Sequence, residues 1–141
     1  MYLLDTSVVS EARKGSLANP GVLRFLTEVR REHQPLFLST ILVGEIRQAV
    51  ERIRLRGENA QASALERWLE KFSAKYESQI LAFDSEAAMV WGVLCAVDSA
   101  RPIDKQVAAI ALVHDLTLVT ANEAAFASTG VRLHDPFMKP S

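Results

Sequence analysis

Residues 1–7 read MYLLDTS: an apolar run, Tyr2, Leu3 and Leu4, ends on a carboxylate at Asp5 and two hydroxyls at Thr6 and Ser7. An acid at the end of a buried strand either caps the element that follows or faces a ligand. Which of the two holds depends on what the rest of the chain builds around that strand. Four more short apolar runs, LFLS at 36–39, ILAF at 80–83, LTLV at 116–119 and VRLH at 131–134, are strand candidates. Helical patterns fill most of the intervals between them. Such alternation predicts an α/β layer fold on a mainly parallel sheet.

Composition narrows the function classes. At 141 residues the chain is the size of one domain, and 49% hydrophobic residues give it enough apolar surface for a compact core. Net charge is −1, so any binding to nucleic acid or to an anionic surface must rest on a local patch. The lone cysteine, Cys95, excludes an internal disulfide framework and points to a reducing compartment. No apolar stretch approaches the roughly 18 residues of a membrane span, and no basic-then-apolar leader opens the chain. The expectation is one cytoplasmic domain over residues 1–141 that neither enters nor crosses a membrane.

Capping signals place the helices. Asn19 and Pro20 predict an N-cap and first turn ahead of VLRFLTEVRRE, and Ser39 or Thr40 caps ILVGEIRQAVERIRL. Gly57 breaks that pattern before ENAQASALERWLEKFSAKY, which reads as the second arm of a helical hairpin. Asp84 or Ser85 opens EAAMVWGVLCAVDSA, and Pro102 closes that region. The hairpin carries Ile46, Val50, Ile53, Leu65, Trp68, Leu69 and Phe72, which pack it to itself and to the sheet or face a partner chain.

In parallel sheets ligands bind outside the carboxyl ends of the strands, which is where Asp5 stands. Taken alone, Asp5 is equally explained as the cap of a short helix in VVSEARK. Glu45 lies among Ile41, Leu42, Val43 and Ile46, and Ala49 at i+4 offers it no ion pair, so its alternative is an ordinary solvated helix position. Asp104 precedes the small-residue helix KQVAAIALVHD and reads equally as an N-cap. Asn122 follows LTLVT, where an Asx turn explains it as cheaply. Together these groups fall on one edge of a doubly wound sheet. They form an oxygen-only set of the kind that suits Mg²⁺ or Mn²⁺ with a phosphate ester.

The stretches MYLLDTSVVSEARK, the helix bearing Glu45, PIDKQVAAIALVHDLTLVTAN and LHDPF, in this order over essentially the whole chain, resemble a PIN-domain ribonuclease. More narrowly, they resemble a VapC-type toxin of a bacterial toxin–antitoxin pair, near the FitB subgroup. The resemblance implies a PIN-like three-layer α/β/α fold with a mainly parallel central sheet and a protruding helical hairpin. It also implies an RNA substrate, Mg²⁺ or Mn²⁺ as cofactor, a homodimer or larger assembly, and an antitoxin that blocks the site. Carried over residue by residue, it assigns Asp5, Glu45 and Asp104 as catalytic acids and metal ligands, with Thr6, Ser7 and Thr120 as supporting hydroxyls. Asn122 also supports the site, but it stands where the FitB pattern has Asp, and Ala125 where many relatives place an acid. Three carboxylates then imply one strongly held ion, which activates water for in-line attack and leaves a 5′-phosphate and a 3′-hydroxyl.

Other chemistries are weaker. Arg47, Arg52, Arg54 and Arg56, interleaved with Glu51 and Glu58, read as a solvated face. Lys105, adjacent to Asp104, is a candidate contact to an RNA phosphate. His33, His114 and His134 lack metalloprotease or zinc spacing, and phosphate-loop, dinucleotide-binding and nucleophile-elbow motifs are not found. A phosphatase using Asp5 as acceptor would want an acid at Ser7. A non-catalytic PIN-like module that binds RNA or an antitoxin is the rival from another class.

Overall fold

Successive side chains on a strand point to opposite faces of a sheet, and Leu3 and Leu4 use that alternation to serve two separate cores. The structure, a computed structural model, describes residues 1–139. The elements run β1 (Tyr2–Leu4), α1 (Thr6–Ala12), α2 (Pro20–Arg31), β2 (Leu36–Ser39), α3 (Thr40–Leu55), α4 (Asn59–Lys75), β3 (Ile80–Leu81), α5 (Ser85–Val97), α6 (Pro102–Val113), β4 (Thr117–Val119) and β5 (Leu133–His134). All five strands are parallel, in the order β3-β2-β1-β4-β5. Every crossover therefore has to climb over a face, and helices cover both.

One face packs Leu3 and Leu118 against Ala87 of α5 and Val107, Ala108 and Ile110 of α6. Alanines along α6 let that helix lie close to the sheet. The other face packs Leu4, Leu38 and Val119 against Val8, Val22, Phe25, Leu42, Ile46 and Leu69. This is the parallel α/β layering expected from the strand runs, in the α/β/α form the resemblance implies. Asn19 caps α2 by accepting from the Gly21 N–H at 2.9 Å, and Ser39 caps α3 by accepting from the Leu42 N–H at 3.1 Å. Asp84 caps α5 through the Ala87 N–H at 3.0 Å.

Two boundary expectations change. Pro102 opens α6 rather than closing the preceding region, because a proline at the first helical position gives up only an N–H that has no intrahelical partner. Asp104 then sits inside the first turn of α6, and Arg101 holds the N-cap position. The α3–α4 hairpin pairs Arg47 and Arg54 with Glu51 and Glu66, and Arg56 with Glu58, so most of this basic run is engaged in surface ion pairs. Among the described residues no helix is long and apolar enough to cross a membrane.

Candidate active site

The strand order reverses between β1 and β4: the chain winds outward from β1 on one side and from β4 on the other. The carboxyl ends of these two strands therefore open a crevice at the switch point. The register sets Leu4 opposite Val119, and the Asp5 N–H continues the ladder by donating to the Val119 carbonyl at 2.9 Å. Asp5 and Thr120 thus leave the sheet side by side.

Asp5 occupies the N-cap position of α1, yet its side chain makes no capping bond. Instead its Oδ2 accepts from the Thr120 hydroxyl at 2.8 Å and from the Ser7 hydroxyl at 3.2 Å. Both donors are pinned in turn. Thr120 Oγ1 accepts from the Asn122 N–H at 3.1 Å, and Ser7 Oγ accepts from the Ala121 N–H at 3.1 Å. Thr120 is fully buried. The capping explanation of Asp5 is therefore set aside: this carboxylate is oriented by a dedicated network. Glu45, from α3, accepts from the Thr6 hydroxyl through Oε1 at 2.7 Å, which tethers the helix acid to the start of α1.

Burial pushes the Asp5 carboxyl above its ordinary value, against the pull of hydrogen bonds from Thr120, Thr6 and Ser7, and the Asp104 charge adds to the rise. Burial likewise raises Glu45, opposed by the Thr6 bond and reinforced by Asp5 and Asp104. The three acids therefore feel one another across the crevice.

Among the described residues no three His, Cys, Asp or Glu side chains converge into a ready-made metal cage. The donor chemistry still fits a hard divalent cation: it is oxygen-only, it combines two partly desolvated acids with a third that repels them, and Asp5 keeps Oδ1 free of the hydroxyl network. Asn122 contributes its backbone N–H to the network, while its exposed side chain caps nothing.

Lys105 corrects the sequence reading. It is 1% exposed, and its ammonium turns inward to the Ala100 carbonyl and to Asp98 Oδ2 at 3.4 Å. Its stem packs in the body of the fold and its charge is spent on Asp98, so it does not reach out to a phosphate.

Arg13 is a site residue that the sequence reading passed over. Thr6, Ser10 and Arg13 recur at i, i+4 and i+7, which places them on one helical face. Together with Glu45 and Trp68 they line a cleft of about 160 Å³. The Arg13 guanidinium lies 5.6 Å from the centre of the Trp68 ring. The same two residues border a larger groove of about 850 Å³ between α1, α2 and α4. Its wall is an aromatic ladder, with Trp68 stacked on Phe72 at 4.7 Å and Phe72 tilted against Tyr76 at 4.9 Å. Arg13, Arg30, Lys71 and Lys75 flank it, with no Asp or Glu among the lining residues.

Comparison with known proteins agrees with this geometry. The family model described as PIN domain matches residues 2–131. The plasmid stability protein StbB of Pseudomonas syringae pv. tomato is 30% identical over 97% of this chain and 99% of its own length. The crystal structure of FitAcB from Neisseria gonorrhoeae superposes with a TM-score of 0.81 at 27% identity, covering 96% of this chain and 98% of that one. The DNA-bound VapBC of Salmonella typhimurium shares the fold with a TM-score of 0.74 at 21% identity over 95% and 96% of the two chains. With the sheet order, the switch-point acids and a family match over nearly the whole length in agreement, this chain belongs to the PIN domain family.

Proposed function

We propose that this protein is the toxin of a type II toxin–antitoxin pair, an endoribonuclease dependent on Mg²⁺ or Mn²⁺ and silenced by its antitoxin. One observation carries the reading: Asp5 is held by buried Thr120 and by Ser7, and it shares the crevice electrostatically with Glu45 and Asp104. Membership of a family whose nucleases generally use divalent ions supports it. So do a relative named for plasmid stability and structural neighbours that are toxin–antitoxin complexes.

In this reading Asp5, Glu45 and Asp104 would hold the ion, which would supply Lewis-acid stabilisation of the phosphate and an acidified water. The chain's own part is preorganisation. Thr120 and Ser7 fix one oxygen of Asp5 and leave the other directed by the same rotamer. Thr6 fixes Glu45, whose raised proton affinity suits it to orienting or accepting a proton from water. The Asp5 charge raises Glu45 in turn, so neither is named alone as the base.

The antitoxin reading rests on the groove beside the acids. An apolar segment laid on the Trp68–Phe72–Tyr76 ladder would continue through Arg13 and Trp68 into the cleft with Glu45, where a basic antitoxin side chain could meet the carboxylates. The homodimer is supported by a different surface. Met89, Val93 and Val97 recur every four residues on α5 and are 76%, 67% and 79% exposed.

A second reading, a non-catalytic module that binds RNA or an antitoxin, is favoured by Asn122 in place of a fourth acid and by the lack of a ready-made metal cage among the described residues. Purified, antitoxin-free protein separates the two. RNA cleavage that appears with Mg²⁺ or Mn²⁺ and stops with chelator supports the nuclease; RNA or antitoxin binding without cleavage under any divalent ion supports the module.

A further inference from the structure

Among the described residues, three other than glycine hold left-handed backbone: His33, Arg101 and Asp115, at φ 54°, 51° and 54°. His33 and Asp115 each follow the C-cap of a helix, Glu32 of α2 and His114 of α6, where a left-handed residue ends the helix in the ordinary way. Arg101 has no such reason. It stands at the N-cap of α6 without a side-chain capping bond, and it puts a cation at the positive end of the helix dipole. Gly, Asn or Asp would suit both the backbone and the helix end better.

The turn that carries it is nevertheless braced from several sides. Asp98 accepts from the Ala100 N–H at 3.1 Å and from the Ser128 hydroxyl at 3.1 Å. The buried Lys105 ammonium reaches the Ala100 carbonyl and Asp98. Trp91 donates its Nε1–H to the Pro102 carbonyl at 2.9 Å. A strained residue persists only where its surroundings over-determine it, and such residues cluster at working sites. What this strain fixes is a direction. Arg101 Nη1 lies 3.4 Å from Asp104 Oδ2, with the arginine side chain 57% exposed. An exposed pair this loose contributes little to folding, so folding alone does not account for the arrangement.

We propose that Arg101 is a phosphate clamp of the active site. It neutralises Asp104 in the free protein and grips a phosphate of the bound RNA beside the acids in the loaded one. The inference rests on the ribonuclease reading above. A guanidinium suits the task because its planar fork matches phosphate oxygens in pairs. Lys105 is the positioning residue: it acts through the 98–101 turn and does not touch RNA.

The test is binding of a labelled single-stranded RNA in Ca²⁺ over a range of salt, with Mn²⁺ affinity measured separately by calorimetry. Arg101→Ala should weaken RNA binding on the order of tenfold and reduce the slope of log affinity against log salt by about one, with Mn²⁺ bound as tightly as before or more so. Arg101→Lys should recover the slope and part of the affinity. Lys105→Met should weaken RNA binding in the wild-type background and add nothing to Arg101→Ala. The Arg101 variants alter an exposed side chain, so they decide the matter even where Lys105→Met fails to fold. Unchanged RNA affinity and slope in Arg101→Ala would overturn the clamp alone. Loss of Mn²⁺ binding in that variant would also overturn it, by making Arg101 a holder of Asp104. A wild-type protein that binds no RNA would overturn the ribonuclease reading and the clamp with it.

Discussion

Thr120→Val isolates the oriented carboxylate from the rest of the fold. Valine is close to threonine in shape, and position 120 is fully buried, so the change removes an oxygen without opening a cavity. That oxygen donates to Asp5 Oδ2 at 2.8 Å and accepts from the Asn122 N–H at 3.1 Å. A hydrogen bond to a charged group contributes about 1.5–3 kcal/mol, and the extra buried methyl returns about 0.8 kcal/mol. The expected net cost is therefore on the order of 1–2 kcal/mol, or about 3–6 °C in Tm for a domain of this size. Because the lost bond pulls the Asp5 carboxyl down, that carboxyl should rise further, and the acidic limb of the cleavage–pH profile should move to higher pH. Thermal melts of wild type, Thr120→Val, Asp5→Asn and the double variant give the pairwise term. A Thr120→Val protein that melts with the wild type and keeps its pH profile would show that the network does not orient Asp5.

Burial raises both Asp5 and Glu45, so the folded metal-free protein holds their protons more tightly than the unfolded chain. Their contribution to stability is full below the ordinary carboxylate range and is lost as pH rises through the raised values. In chelator at neutral pH, Asp5→Asn should thus melt above wild type, and an added divalent ion should reverse the order; equal melting in chelator would contradict this. Asn122→Asp should tighten Mn²⁺ binding by calorimetry, and Asn122→Ala should cost less activity than Asp5→Asn, whereas two tight ions in the unaltered protein would count against the reading of this position. Val93→Glu, on the exposed face of α5, should give a monomer by light scattering with an unchanged circular dichroism spectrum, and a persisting dimer would place the self-association elsewhere.

Local chemistry carried most of the fold. Strand runs at 2–4, 36–39 and 117–119 and the caps at Asn19, Ser39 and Asp84 are decided by residues next to one another in sequence, and the structure keeps them. Asp5 draws notice as an acid at the end of a strand run, with capping as its local alternative, and Glu45 as an acid with no ion-pair partner at i+4. What escaped depends on direction. Lys105 reads as a surface cation from its neighbours, and only the packing of α6 against Asp98 and Ala100 turns it inward. Arg101 lies close to Asp104 in sequence, but its left-handed backbone is braced by distant groups, such as Ser128 on Asp98. The groove between α1, α2 and α4 has no sequence signature, because its walls come from three separate elements.

We propose Asp5 as an ion-holding acid of an RNA-cleaving site. Incubating end-labelled RNA with purified wild type and purified Asp5→Asn, side by side in Mn²⁺, tests it most directly, because the substitution removes the charge at nearly constant volume and leaves an oxygen for Thr120 and Ser7. The expected result is cleavage by the wild type, leaving a 5′-phosphate and a 3′-hydroxyl, and a loss of at least a hundredfold in a folded Asp5→Asn protein. Equal cleavage by the two proteins would contradict the account.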